Sequence, residues 1–387
     1  MNRRSIIARC CLTSSCLRWL LILVLMKGIL GCTPGPHHAE APRIDPYYIS
    51  GSKADREILR QLFVLLAQET KNREAATGEP ETREPHGAAV YTEVEFAVVR
   101  EIANRYIRLQ EYGKLINFLT ARANRNPQDP YNAYYLLMVA YGYIQQEAYP
   151  VAALYFDVII KNYPDLMVEG QSIHLACLNQ LITLVDNPEQ EVTYYEELIA
   201  RFSDSLDLGM TYFMLGQAYE QIGDWNGAIQ SYTQYLPYRG TMIPGFPNAD
   251  HYAKQLVDFN QSPKDWTFEN LNSLVNAVKG ALADGSSVRL RQYQAKVNFF
   301  ARSWAQEDTD DSGMAEFNLA DFMRGNQIHY ADVLDTSSNA AEAYLRTSGW
   351  DQFISTWYFY FRKIYFPLNP DIHGRWEWAG VYYGEKF

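Results

Sequence analysis

One plan recurs in four stretches of this chain, and it restricts the fold more than any other feature. In 209–236, Tyr212, Leu215, Gly216 and Tyr219 fall at spacings of three and four, the signature of one helix face. Gly223 supplies a turn, Trp225 follows it, and Ala228 and Tyr232 lie on a second helix. The small residues Gly216 and Ala228 let two helices approach while the aromatics fill the gaps beside them. In 133–164 the first face is Leu136, Val139, Ala140 and Tyr143, the second is Tyr149, Ala152 and Phe156, and Pro164 closes the pair. A weaker copy spans 96–127, with Val99, Ile102, Ala103 and Tyr106, then Tyr112, Leu119 and Pro127. The most degenerate copy is 168–203, with Leu175, Leu178 and Ile182 on one helix and Tyr195, Leu198 and Phe202 on the next. A single helix pair cannot bury its apolar face alone, so such units stack, and roughly three suffice for a continuous core.

The segment 209–236 resembles a tetratricopeptide repeat. The resemblance rests on Leu215-Gly216, Tyr219, the turn glycine, the aromatic after it, and Ala228 and Tyr232. Gly240 stands where the family's closing proline is expected, with Pro237 slightly early. The closing positions Pro127 and Pro164 are 37 residues apart, somewhat longer than the family's period of about 34. The resemblance implies an α-solenoid over 53–237; an amphipathic helix near 54–70 (Ile58, Leu62, Phe63, Leu65, Leu66) reads as its cap, separated from the first repeat by a loop over 72–90 that holds Glu, Thr, Pro and Gly. It also implies a concave face that docks protein partners and has no chemistry of its own. The segment 153–164, Ala-Leu-Tyr-Phe-Asp-Val-Ile-Ile-Lys-Asn-Tyr-Pro, resembles the repeat endings of outer-membrane-protein assembly lipoproteins. A second comparison is with repeat lipoproteins that serve the solute-binding proteins of transporters.

The N-terminus reads as an address. Residues 1–18 are basic, and residues 19–26, Trp-Leu-Leu-Ile-Leu-Val-Leu-Met, are apolar. A membrane-spanning helix needs about 20 apolar residues, and Lys27 interrupts this run, so a signal peptide over 1–31 is expected. Ile29-Leu30-Gly31-Cys32 resembles the lipobox of bacterial lipoproteins, which implies a diacylglyceride on the Cys32 thiol, palmitate among its acyl chains, and Cys32 as the mature N-terminus. Each buried methylene contributes about 0.8 kcal/mol, so two or three chains hold firmly. Residues 32–52, with Pro34, Pro36, Pro42 and Pro46, have tether composition, and His37 and His38 read as part of that solvated tether. Thr33, not Asp, follows the cysteine, which favours the outer membrane under the sorting rule of some enteric bacteria.

Charge is uneven. The chain carries −11, but the five positives of residues 1–31 face no acid. Without them 29 basic residues stand against 45 acidic, a net of −16. Such a body repels nucleic acid. Four of the five cysteines lie in the first 32 residues and only Cys177 follows, so a chain cut before Cys32 has no internal disulfide framework.

After a linker at 238–265, rich in proline and glycine, the pattern changes. Leu271, Leu274, Val275, Val278 and Leu282 mark an amphipathic helix, capped by Asp265 or Thr267 and stopped by Gly285. A second helix is expected over 286–295, with Val288, Leu290 and Tyr293. Ile354–Ile364, dense in aromatics, reads as a strand covered on both faces, and 375–383 as its hairpin partner. Two helices before a curved antiparallel sheet resemble, at the level of architecture, the nuclear-transport-factor-2-like cone. The expected fold class is therefore mainly α: a repeat solenoid followed by a smaller α+β domain over 266–387.

No catalytic constellation emerges. Asp308, Asp310, Ser312 and Gly313 echo the first half of a calcium-binding loop, but Leu319 occupies the twelfth position, where a bidentate carboxylate is required. His174, His251, His329 and His373 lack a histidine or cysteine partner at metal-ligand spacing. Cys177, between Ala176 and Leu178, reads as a buried thiol. Trp376 and Trp378 share a sheet face, where core packing is the simpler reading and a sugar or peptide pocket the alternative. The expectation is an envelope scaffold without enzyme activity, metal or cofactor. Cys32 holds it at a membrane facing the periplasm, and it takes envelope proteins in its repeat groove and no nucleic acid. The rival is a ligand-binding or enzymatic α+β domain with the repeats as accessory.

Overall fold

The computed structural model describes residues 44–77, 93–304, 318–350 and 354–386. The signal segment, Cys32, most of the tether, part of the 72–90 loop and the acidic run 308–313 lie outside the described residues. The chain forms two compact units, one ending at Leu206 and one beginning at Asp207.

The first unit is helical. It contains α1 (Lys53–Thr77), α2 (Glu93–Arg108), α3 (Tyr112–Arg125), α4 (Asn132–Gln145), α5 (Tyr149–Asn162), a two-residue strand pair β1 (Met167–Val168) and β2 (Gln171–Ser172), α6 (Ile173–Leu184) and α7 (Pro188–Phe202). The pairs α2/α3, α4/α5 and α6/α7 occupy the stretches that carry the repeated plan. The expected face of α2 is its buried face: Val99, Ile102, Ala103 and Tyr106 are each at most 1% exposed. α4 is buried almost all round, from Asn132 to Gly142, because helices pack on more than one side of it. α1 is longer than expected and runs through 72–77, where the sequence suggested loop; Asp55 caps its start by accepting from the Ser52 N–H and hydroxyl.

Buried charge ties the first turns of this unit together. Glu95, 1% exposed, accepts from Arg122 Nη2 at 2.8 Å, from Arg73 Nε at 3.1 Å and from the Thr70 hydroxyl at 3.2 Å. Arg122 also reaches Asp129 at 3.2 Å and lies 5.3 Å from the Tyr135 ring centre. A buried ion requires such compensation, since stranding one partner costs several kcal/mol.

The second unit begins with the helix pair α8 (Leu208–Ile222) and α9 (Trp225–Tyr235), followed by α10 (Ala249–Gln261). α10 lies inside the stretch read from sequence as a linker and corrects that reading. Pro244, Gly245 and Pro247 only precede the helix; Ala249, Ala253 and Val257, four residues apart, pack with Phe213, Tyr232 and Tyr235 in one cluster. Next come α11 (Leu271–Ala283), α12 (Ser287–Tyr293), β3 (Phe300–Ser303), α13 (Leu319–Met323), β4 (His329–Tyr330), β5 (Glu342–Ser348), β6 (Thr356–Lys363) and β7 (Trp376–Tyr383). Asn270, rather than Asp265 or Thr267, caps α11 by accepting from the Ser273 N–H. On α12, Val288 is 70% exposed and only Leu290 is fully buried.

The strands form one sheet in the order β3-β7-β6-β5-β4. β6 and β7 pair as the expected antiparallel hairpin, but the sheet is mixed, because β3 runs parallel to β7. One sheet face packs under α11: Leu274, Val278 and Leu282 meet Leu345, Trp357, Phe359 and Trp378. Trp376 and Trp378 are both core residues, the latter stacked on Phe359 at 4.3 Å. Leu319 is 3% exposed in the same core, which accounts for an apolar residue where a calcium ligand would stand.

Candidate binding cleft beside the best-formed repeat

The geometry of α8 and α9 follows from two glycines facing two rings. A Cβ on Gly216 would lie 2.6 Å from the Tyr232 ring, and one on Gly227 would lie 2.6 Å from the Tyr219 ring. Each helix presents a bare backbone patch to an aromatic on the other, and this sets their close approach. Gly223 ends α8 with φ +80°, a left-handed conformation that costs glycine little. Asp224 then caps α9 by accepting from the Gly227 N–H.

The other pattern positions are structural too. Leu215, Ala228, Tyr232, Ala140, Ala152 and Phe156 are buried. Tyr143 is half-buried and stacks on Tyr155 at 5.5 Å. Pro164 is exposed just past the end of α5. Most of these residues build the packing of the repeats. Among exposed apolar residues, Val151 and Leu154 stand one turn apart on α5.

In the second unit a cleft of about 480 Å³ opens where the repeat helices meet the connected end of the β6–β7 hairpin, beside the 364–375 loop. Its helical wall comes from α8, α9 and α10, with Gln217, Glu220, Trp225, Tyr252 and Gln255. Its opposite wall comes from Arg362–Phe366, Glu377 and Asn298. The walls are welded below the cleft by Phe259, which meets Phe366 at 4.9 Å and Trp266 at 6.1 Å.

Two carboxylates sit in this lining, each held by donors. Glu220 accepts from the Tyr232 hydroxyl at 2.6 Å and the Tyr252 hydroxyl at 2.8 Å. Burial pushes its carboxyl above the usual range, and the tyrosine hydroxyls pull it partway back. Glu377, 1% exposed, accepts from Trp266 Nε1 and from Arg362 Nε, both at 2.8 Å. The sequence offered little sign of this cleft. Its residues come from five separated stretches, and none forms a motif.

The histidine and cysteine candidates do not converge. His174 is buried, with Nε2 3.0 Å from the Tyr163 carbonyl and Nδ1 2.7 Å from Arg201 Nη2. Arg201 can only donate, so Nδ1 accepts and Nε2 carries the proton: a neutral core histidine. His373 Nδ1 accepts from the Phe366 N–H. Cys177 is fully buried, and burial pushes its thiol well up. Among the described residues no group of three or more His, Cys, Asp or Glu could hold a metal ion, and no helix is long and apolar enough to cross a membrane.

The fold is that of a helical-repeat protein carrying a small α+β domain. Residues 210–236, which span α8 and α9, match the tetratricopeptide repeat family. None of the curated proteins matches the chain.

Proposed function

We propose that this protein is a membrane-anchored scaffold of the bacterial cell envelope, whose repeats dock protein partners. The matched repeat at 210–236 carries the reading, because tetratricopeptide repeats generally mediate protein–protein interactions. The anchor rests on the sequence of the first 32 residues: a basic start, a short apolar run, and Ile29-Leu30-Gly31 before Cys32. The lipid on Cys32 holds the chain at a membrane, with the outer membrane favoured, and the body faces the periplasm. The docking face we assign is the side of α5 bearing Val151 and Leu154. An exposed apolar pair on a helix suits a protein surface better than water.

The anchor is tested by metabolic labelling with an alkyne analogue of palmitate, comparing the native chain with Cys32→Ser. Label and membrane-fraction protein from the native chain only are the expected result. Equal labelling of both, or none of either, contradicts the anchor.

A further inference from the structure

We infer that the cleft between the repeat helices and the β6–β7 hairpin is a binding site for a small acidic saccharide, a sugar bearing a carboxylate. This inference is independent of the scaffold reading and rests on the uncommitted groups that line the cleft. A volume of about 480 Å³ falls within the range of small-molecule sites, roughly 300–1,000 Å³.

Three kinds of group meet there. The first is amide. Gln255 and Asn298 make no side-chain hydrogen bond among the described residues, and Gln217 uses only its NH2 group, toward Tyr232 at 2.6 Å. Primary amides offer donor and acceptor side by side, as a run of sugar hydroxyls requires. The second is aromatic. Tyr365 is 72% exposed, and Trp225 stands edge-on to it at 6.0 Å. An exposed ring beside a half-buried one is costly in water and suits the C–H face of a sugar. The indole N–H of Trp225 donates to nothing among the described residues.

The third is cationic. Arg362 spends Nε on Glu377, which fixes the plane of the guanidinium and leaves both terminal nitrogens without a partner among the described residues. Lys363, the next residue, is exposed and has no ion pair among the described residues. A fork held by one buried carboxylate and presenting two donors matches a second carboxylate. The net charge of −11 opposes any acidic ligand at long range, so binding depends on these short contacts. A neutral sugar would leave the cations unused, and an acid without hydroxyls would leave the amides unused.

The test uses the full-length chain in detergent, with galacturonic acid trisaccharide as probe. Its methyl ester and benzoate are controls, read by calorimetry and by Trp fluorescence. The expected result is saturable binding of the trisaccharide, with the ester at least about tenfold weaker through loss of one charge-assisted contact, and benzoate, which keeps the charge, at least about tenfold weaker through loss of the hydroxyl contacts. Lys363→Gln and Tyr365→Ala change exposed residues and should each weaken binding with the thermal transition unmoved. Arg362→Lys keeps the charge but loses the fork, and should fall between Arg362→Gln and the native chain. Equal affinity for the ester or for benzoate overturns the inference. So does an absence of trisaccharide binding, or binding unaffected by the Lys363 and Tyr365 variants.

Discussion

At the residue scale, small side chains and charges do different work. Gly216 is set by the ring of Tyr232 against it. Replacing a mid-helix glycine with alanine ordinarily gains about 1 kcal/mol, but overpacking a tight contact costs about 1–3 kcal/mol. Gly216→Ala should therefore destabilise the protein, as a lowered urea midpoint will show; a stabilised variant would mean that the ring yields freely. Leu215-Gly216 was legible in the sequence because the requirement is local. The partners of Glu95 were not, since Thr70 and Arg73 come from α1 and Arg122 from α3, two stretches separated from it in sequence.

Glu385 supplies a pH signature. The bond from Arg346, then those from Thr356 and Tyr358, hold its carboxyl down to about 2 against an ordinary 4.5. The native state thus binds this proton less tightly than the unfolded chain does. Its contribution is complete above pH 4.5 and is lost as pH falls toward about 2. Urea titrations across that window should show a shallower acid loss for Glu385→Gln than for the native chain. Parallel curves would remove Glu385 from the account. Cys177, buried with its thiol pushed up, should resist a thiol reagent until the protein is unfolded, and reaction in native buffer would contradict its placement.

At the element scale, helices with regular spacing were legible and elements defined by distant partners were not. Every helix pair expected from 96 to 236 is present, because the three-and-four periodicity is a property of consecutive residues. α10 was obscured by the prolines and glycines before it, and its apolar residues acquire meaning only against Phe213, Tyr232 and Tyr235. The parallel pairing of β3 with β7 joins residues about eighty positions apart, and nothing in the four residues of β3 announces it. If α10 were a linker, substitutions in it would change stability by about 0.5 kcal/mol or less. Because Phe259 packs against Trp266 and Phe366, Phe259→Ala should instead cost about 3–5 kcal/mol. Chemical denaturation distinguishes the two.

At the scale of the whole molecule, the recurrent unit is the helix pair, packed through its pattern residues. Most pattern residues of the repeats are buried, and the exposed Val151 and Leu154 are the contact residues we propose. An acidic body also fits a partner-docking role better than attachment to nucleic acid or to an anionic headgroup surface. On the proposed function, these repeats dock protein partners in the envelope. The most direct measurement is in-cell crosslinking of the full-length chain, native and with Val151→Glu plus Leu154→Glu, followed by mass spectrometry at matched abundance and membrane localisation. Specific envelope proteins captured by the native chain and lost from the double variant are the predicted result. The same partners on both chains, or none on either, would contradict it.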